Sequence, residues 1–304
     1  MLSSPIAQHI AKLNGQFSVE VTPRDLDRVG PIHQFVPPGT AVYITYLDTT
    51  GLEGTVAAAR RLAAAGMRPI PHLAARAVQS RHQLDDAVAR MVAESGVDDV
   101  LVVAGSVPRH GVFGSSMDLL RSGVLQDHGI NAVGVAGHPE GSPDIAPHMV
   151  AQAVEDKNAF ARQSGMALRL VTQFTFDAGP VVAWERALRA AGNRLPVHLG
   201  LPGAVDAATL LRYGLRCGVG PSLKVFRTQA SRLGRLASTT PQFPDRTVAD
   251  IARAVATDPE SLFTAFHYFP FGALDLTGRW ATELGAGTFV QDADGQLLTP
   301  SRPR

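Results

Sequence analysis

Arg169-Leu-Val-Thr-Gln-Phe-Thr-Phe-Asp177 is the stretch on which the fold turns. Apolar and β-branched positions lead into an amide and then into aromatics, and helix-like sequence begins soon after Gly179. It therefore reads as a buried strand with Gln173 at its carboxyl end. In an α/β barrel that end of a strand is the active-site end. A side-chain amide there donates and accepts at once, which suits the mixed edge of a pterin or a similar heterocycle. Taken alone, the residue reads equally well as a Gln that caps a loop.

The pattern recurs along the chain. Short apolar segments stand at residues 17–21, 41–45, 67–71, 99–104, 132–136, 167–173, 196–199 and 262–266. Between most of them lie amphipathic helical stretches, at 54–65, 80–95, 116–128, 147–164, 180–191 and 206–217. Strand then helix, eight times in 304 residues, predicts an α/β fold of the (β/α)8 TIM barrel type. A doubly wound open sheet is the competitor, but no glycine fingerprint opens the first βα turn.

Composition narrows the class further. With 45% hydrophobic and 18% charged residues, the 304 residues suffice for one large core, so a single barrel domain with an N-terminal helix is expected. The formal net charge is +1 with Lys and Arg scattered, which leaves no electrostatic footprint for nucleic acid. Residues 1–14 read as an amphipathic helix carrying His9 and Lys12 rather than a signal peptide, and no apolar run is long enough to span a bilayer. A cytoplasmic location is expected. Cys217 is the only cysteine, so disulfides within the chain and thiolate metal cages are excluded, and it reads as a helix-end core residue.

The alternation breaks at residues 218–244. A helical run there carries Lys224, Arg227, Arg232 and Arg235 and closes on Pro241 and Pro244. It reads as an extra helix between strands 7 and 8, either on the rim where barrels hold phosphate groups or simply with a solvated basic face.

The strand ends collect the chemistry. Glu20 closes strand one, Thr45 and Tyr46 strand two, His72 strand three, Gly105 and Ser106 strand four, His138 and Glu140 strand five, Gln173 strand six, and His267 to Phe271 strand eight. Each has a plain reading by itself: Glu20 as an arginine partner, His72 as a satisfied core imidazole. Together a carboxyl, imidazoles, an amide and aromatics make a pocket for a flat heterocycle and a proton transfer. A metal site is less well supported, because His72 and His138 lack a carboxylate at familiar ligand spacing.

These residues resemble the methylenetetrahydrofolate reductase family, flavin-dependent barrel enzymes of one-carbon metabolism, over residues 17–280. Ser18-Val-Glu20 with Pro23 matches the family's first strand, whose Glu is the general acid, so the resemblance makes Glu20 catalytic. Thr45-Tyr46 and Pro71-His72-Leu73 match segments that line the flavin. Thr172-Gln173-Phe174 with Phe176-Asp177 matches the strand-six motif whose Gln holds the pterin, which places Gln173 and Phe176 at the substrate. His138, Glu140, Lys157 and Asn158 fall where the family contacts the flavin ribityl and diphosphate.

The departures carry information too. Where the family reads Arg-Gly-Asp after strand four this chain has Ala104-Gly105-Ser106, so Gly105 and Ser106 stand beside flavin and substrate without the carboxylate. A Tyr of the family is His138, a His is Ser142, and the arginine that holds the folate glutamate tail falls near Ala273. The resemblance implies a divergent oxidoreductase that interconverts 5,10-methylenetetrahydrofolate and 5-methyltetrahydrofolate through FAD and NAD(P)H, as a homo-oligomer. Loss of a negative charge near the ring would raise the flavin potential and favour methyl oxidation. The alternatives are a flavin-free pterin or folate barrel that transfers methyl groups and a folate-binding protein without catalysis.

Overall fold

The computed structural model describes residues 4–142, 145–216, 240–293 and 295–302. Strands β1 (Ser18–Val21), β2 (Ala41–Ile44), β3 (Arg68–Ala74), β4 (Asp99–Val103), β5 (Ala132–Gly137), β6 (Ala167–Phe174), β7 (Val197–Pro202) and β8 (Phe263–Phe269) form a closed barrel in chain order. The helices are α1 (Pro5–Asn14), α2 (Gly51–Ala64), α3 (Arg81–Ser95), α4 (Ser116–Arg121), α5 (Val124–Asp127), α6 (Pro147–Ser164), α7 (Ala178–Ala190), α8 (Ala207–Arg216), α9 (Asp245–Thr257) and α10 (Leu274–Gly285). Closure of the sheet confirms the barrel and excludes the open alternative.

Two expectations shift in detail. Strands β3, β7 and β8 each run three residues beyond the segments read from sequence, because strand pairing continues through His72-Leu-Ala74, Gly200-Leu-Pro202 and His267-Tyr-Phe269. His72 and His267 thus lie inside strands instead of closing them. The helix expected at 116–128 is split into α4 and α5, since Gly123 at φ 79° breaks the right-handed helical path. The run at 217–239, with Cys217 and the four basic residues, lies outside the described residues; α8 and α9 flank it between β7 and β8.

The chain divides into two compact units. One comprises Met1–Val19, Gly137–Gln152 and Thr172–Arg304. In it α1 opens with Ser4, whose hydroxyl accepts from the Ala7 N–H at 3.1 Å, and Pro5, whose fixed φ suits a first turn. Ile10 and Leu13 share its buried face, and the helix packs against α9, α10 and β8. Buried Tyr268 donates its hydroxyl to Asn14 at 2.7 Å, and buried Trp280 its indole N–H to the Leu297 carbonyl. A short antiparallel pair, β9 (Val290–Gln291) with β10 (Leu297–Leu298), had no apolar run to announce it.

The other unit comprises Glu20–Ala136 and Ala153–Val171. Its inward strand positions are Tyr43, Ile70, Leu101 and Val171, all buried. Arg169, 8% exposed, lies among them and donates to the Tyr43 hydroxyl and to Asp99, which is 2% exposed. Buried charge of this kind is tolerated only in pairs. Among the described residues no helix is long and apolar enough to cross a membrane, and no group of three or more metal-ligating side chains is assembled.

Candidate functional site

In the second unit the residues expected at the first three strand ends meet. Thr45, the residue after β2, is set by its N–H bond to the Val21 carbonyl at 2.9 Å. Its hydroxyl donates to Glu20 Oε1 at 2.5 Å. The other carboxyl oxygen of Glu20 stands 3.7 Å from His72 Nε2. Glu20 and His72 side chains are 15% and 9% exposed, so the cluster is largely shielded from water. The His72 ring stands edge-on to Tyr43, with centroids 5.9 Å apart and planes at 80°. A carboxyl whose orientation is fixed by a hydroxyl, with an imidazole beside it, can hold a proton and deliver it along one direction.

The neighbouring strand ends supply surface. Tyr46 is half-buried, and burial, followed by the charge of Asp48, raises its pKa above the ordinary value. Gly105 has φ 88°, and a Cβ there would meet that of Ala74 at 3.2 Å, so only glycine lets β4 leave the barrel along this path. Ser106 next to it is exposed.

Lys157 and Asn158 of α6 are buried and bond to backbone carbonyls. Lys157 is 4% exposed, and its ammonium donates to the Ala136 carbonyl of β5 at 3.1 Å. Asn158, 6% exposed, donates its amide to the Val154 carbonyl of its own helix at 2.9 Å.

Burial pulls the Lys157 pKa from 10.5 down to about 8. A lysine with a depressed folded pKa binds fewer protons than in the unfolded chain between about pH 8 and 10.5, so stability rises across that window and the full cost, about 3 kcal/mol, is present below it. Lys157→Met should accordingly raise stability at pH 7 by about 1–3 kcal/mol, with the gain shrinking as pH approaches 10. Denaturant melts at several pH values check this. A Met variant less stable than wild type at pH 7 would show that the ammonium is compensated by more than one carbonyl.

In the first unit Gln173, next to last in β6, is half-buried beside an aromatic cluster. Phe174, 1% exposed, is its centre, with Phe176, Phe269 and Phe271 at 5.6, 5.6 and 5.2 Å between ring centroids. Tyr213 of α8 stacks on Phe271 at 4.3 Å and 20°. Phe271 holds φ 50°, which is strained for a bulky residue and is stabilised here by three ring contacts. Asp177 accepts the Gly179 N–H at 2.9 Å and serves as the N-cap of α7. His138 and Glu140 stand in the half-buried turn after β5, where Gly141 donates to the His138 carbonyl.

Sequence reading missed Tyr213 and the strain at Phe271. Tyr213 carries no local signal, because its helix reads simply as amphipathic. The Phe-Pro-Phe-Gly run at residues 269–272 did announce a turn, but not its conformation.

No family model matches the sequence. Among solved structures, an uncharacterised protein from Clostridium thermocellum that binds two copies of 5-methyl-5,6,7,8-tetrahydrofolic acid is similar at TM-score 0.54 and 12% identity, over 92% of this chain and 99% of that one. A family 18 chitinase from Crocus vernus follows at TM-score 0.45 and 9% identity, covering 89% and 98%. The catalytic domain of a family GH18 chitinase from the fern Peteris ryukyuensis gives 0.45 and 11%, covering 89% and 99%. At these identities the likeness is one of fold, and the chain is an eight-stranded parallel α/β barrel.

Proposed function

We propose that the protein binds a reduced folate at the carboxyl ends of its barrel strands and that Glu20 is the proton donor in interconversion of 5,10-methylenetetrahydrofolate and 5-methyltetrahydrofolate. The observation that carries the reading is the Glu20 carboxyl held by Thr45 at 2.5 Å with His72 at 3.7 Å. The motif order from β1 to β6 supports it, and so does a similarly folded protein that binds 5-methyltetrahydrofolic acid. In the reductive direction Glu20 gives its proton to the folate N10 as the bond from N10 to the methylene carbon breaks. That leaves an iminium at N5, and a hydride from reduced nicotinamide completes the methyl group. His72 returns a proton to Glu20 between turnovers. FAD, which the family resemblance implies, would relay that hydride from the nicotinamide when bound.

A second reading, a folate barrel that binds its ligand without redox chemistry, is favoured by the similarly folded protein that binds 5-methyl-5,6,7,8-tetrahydrofolic acid. The two share the binding site. Gln173→Ala should weaken 5-methyltetrahydrofolate by about 1–3 kcal/mol in a calorimetric titration, through loss of a buried amide contact with the pterin edge. The same cell titrated with FAD separates the two readings: heat of binding supports the redox one, and its absence supports binding alone. Unchanged folate affinity in the variant would move the pterin away from β6.

A further inference from the structure

The loop from β4 to α4 carries a surplus of positive charge that the Glu20 cluster does not use. It is pinned in place. The Arg76 N–H donates to the Ala104 carbonyl at 2.9 Å and the His110 N–H to the Arg76 carbonyl at 2.8 Å. Gly111 lies so close to the turn before α3 that a Cβ would stand 2.2 Å from the Gln79 carbonyl oxygen. No other residue type closes this strap.

Two guanidinium groups gather around Gly114 on it. Arg76 Nε donates to the Gly114 carbonyl at 3.1 Å, and Arg109 Nη1 lies 3.6 Å from the position a Gly114 Cβ would take. Arg109 also donates through Nε and Nη2 to the carbonyls of Gly111 and Val112, both at 2.7 Å. All these acceptors are neutral. A guanidinium has five N–H donors, so both groups keep donors for something else. The nearby acid is Asp118, whose pKa is lowered first by the Gly114 N–H and further by the Ser115 N–H and the charge of Arg109. It neutralises at most one of the two cations. Two like charges held together on a rigid loop repel until an anion joins them.

The strap stands at the same end of the same unit as Glu20. From His72 to Arg76 the chain finishes β3 and makes a short 3-10 turn, a span of about 11 Å at 3.3 and 2 Å per residue. A backbone path no longer than this keeps Arg76 within reach of a ligand as long as a folate with its glutamyl tail. Beyond β8, where the resembling family has an arginine for the tail, this chain has Ala273.

We propose that Arg76 and Arg109 bind the carboxylates of the glutamyl tail, with the planar, bidentate geometry that guanidinium and carboxylate share. The inference rests on the folate reading of the site. Its test compares 5-methyltetrahydrofolate with a tail-less 6-methyltetrahydropterin, by titration into wild type, Arg109→Gln and Arg109→Lys at low and high salt. Arg109→Gln should weaken the folate about three- to tenfold, Arg109→Lys should retain part of that affinity, added salt should erode the difference, and the tail-less pterin should bind all three proteins alike. Equal loss for both ligands, or no loss for either, overturns the tail site while wild-type folate binding keeps the folate reading. If wild type binds neither ligand, both fall. Thermal melts that agree among the three proteins exclude unfolding as the cause.

Discussion

Glu20→Gln is expected to slow formation of 5-methyltetrahydrofolate from 5,10-methylenetetrahydrofolate with reduced nicotinamide by a factor of about 10² to 10⁴, the usual worth of a positioned general acid. Affinity for 5-methyltetrahydrofolate should stay within about threefold, because a product already bearing its methyl group needs no proton. Glutamine keeps the size of the side chain and an oxygen for the Thr45 hydroxyl, now 2.5 Å from Glu20, so the pocket's shape survives. What it loses is the acidic proton and the partner of His72 at 3.7 Å. The comparison separates roles: a structural Glu20 would lower binding and turnover together, an acid lowers turnover alone. A rate loss under tenfold with intact binding would end the assignment. Wild-type protein that binds folate but turns over nothing would favour the binding-only reading.

The barrel was legible because its signal is repetitive. Each strand is a short apolar run, and eight of them alternating with amphipathic stretches fix a closed parallel sheet even when single boundaries drift. Glu20, Thr45 and His72 were legible for a related reason: a polar residue in or just after an apolar strand segment stands out against its neighbours, even where, as at His72, the strand runs on beyond it. The direction of the α6 side chains was not. Lys157 and Asn158 occupy a helix whose amphipathic pattern fixes its phase only coarsely, and which face meets β5 is decided by packing. Arg76 and Arg109 escaped because their proximity comes from loop hydrogen bonds across more than thirty positions, which have no period to read. Arg169 falls within the apolar segment 167–173, and nothing local tells of its partners on β2 and β4.

Arg169→Leu should destabilise the fold by about 3–5 kcal/mol at pH 7, the cost of leaving a buried charge without its partner. Arg169 donates to the Tyr43 hydroxyl at 3.1 and 2.7 Å and to Asp99 Oδ1 at 3.0 Å. Burial pulls its pKa down, but Tyr43 and Asp99 together raise it above the ordinary value, so it remains a cation. Asp99 is the weaker member: burial raises its pKa, and the attraction of Arg169 only partly offsets this. An acid with a raised folded pKa contributes stability below its unfolded value and loses it as pH climbs through the folded one. Removing Arg169 raises that pKa further, so the variant's deficit should be largest at neutral pH and shrink on acidification. Arg68 cannot substitute, because it reaches Asp99 Oδ2 at 2.8 Å from a side chain 43% exposed and is shared with Asp98. Arg169→Leu with Asp99→Leu should then recover most of the loss, since an apolar pair of similar volume replaces the ions and Arg68 keeps Asp98. Urea melts of the single and double variants decide it: a single-variant loss below about 1 kcal/mol, or a double variant no more stable than the single, would show that the charge pair does not hold this core together.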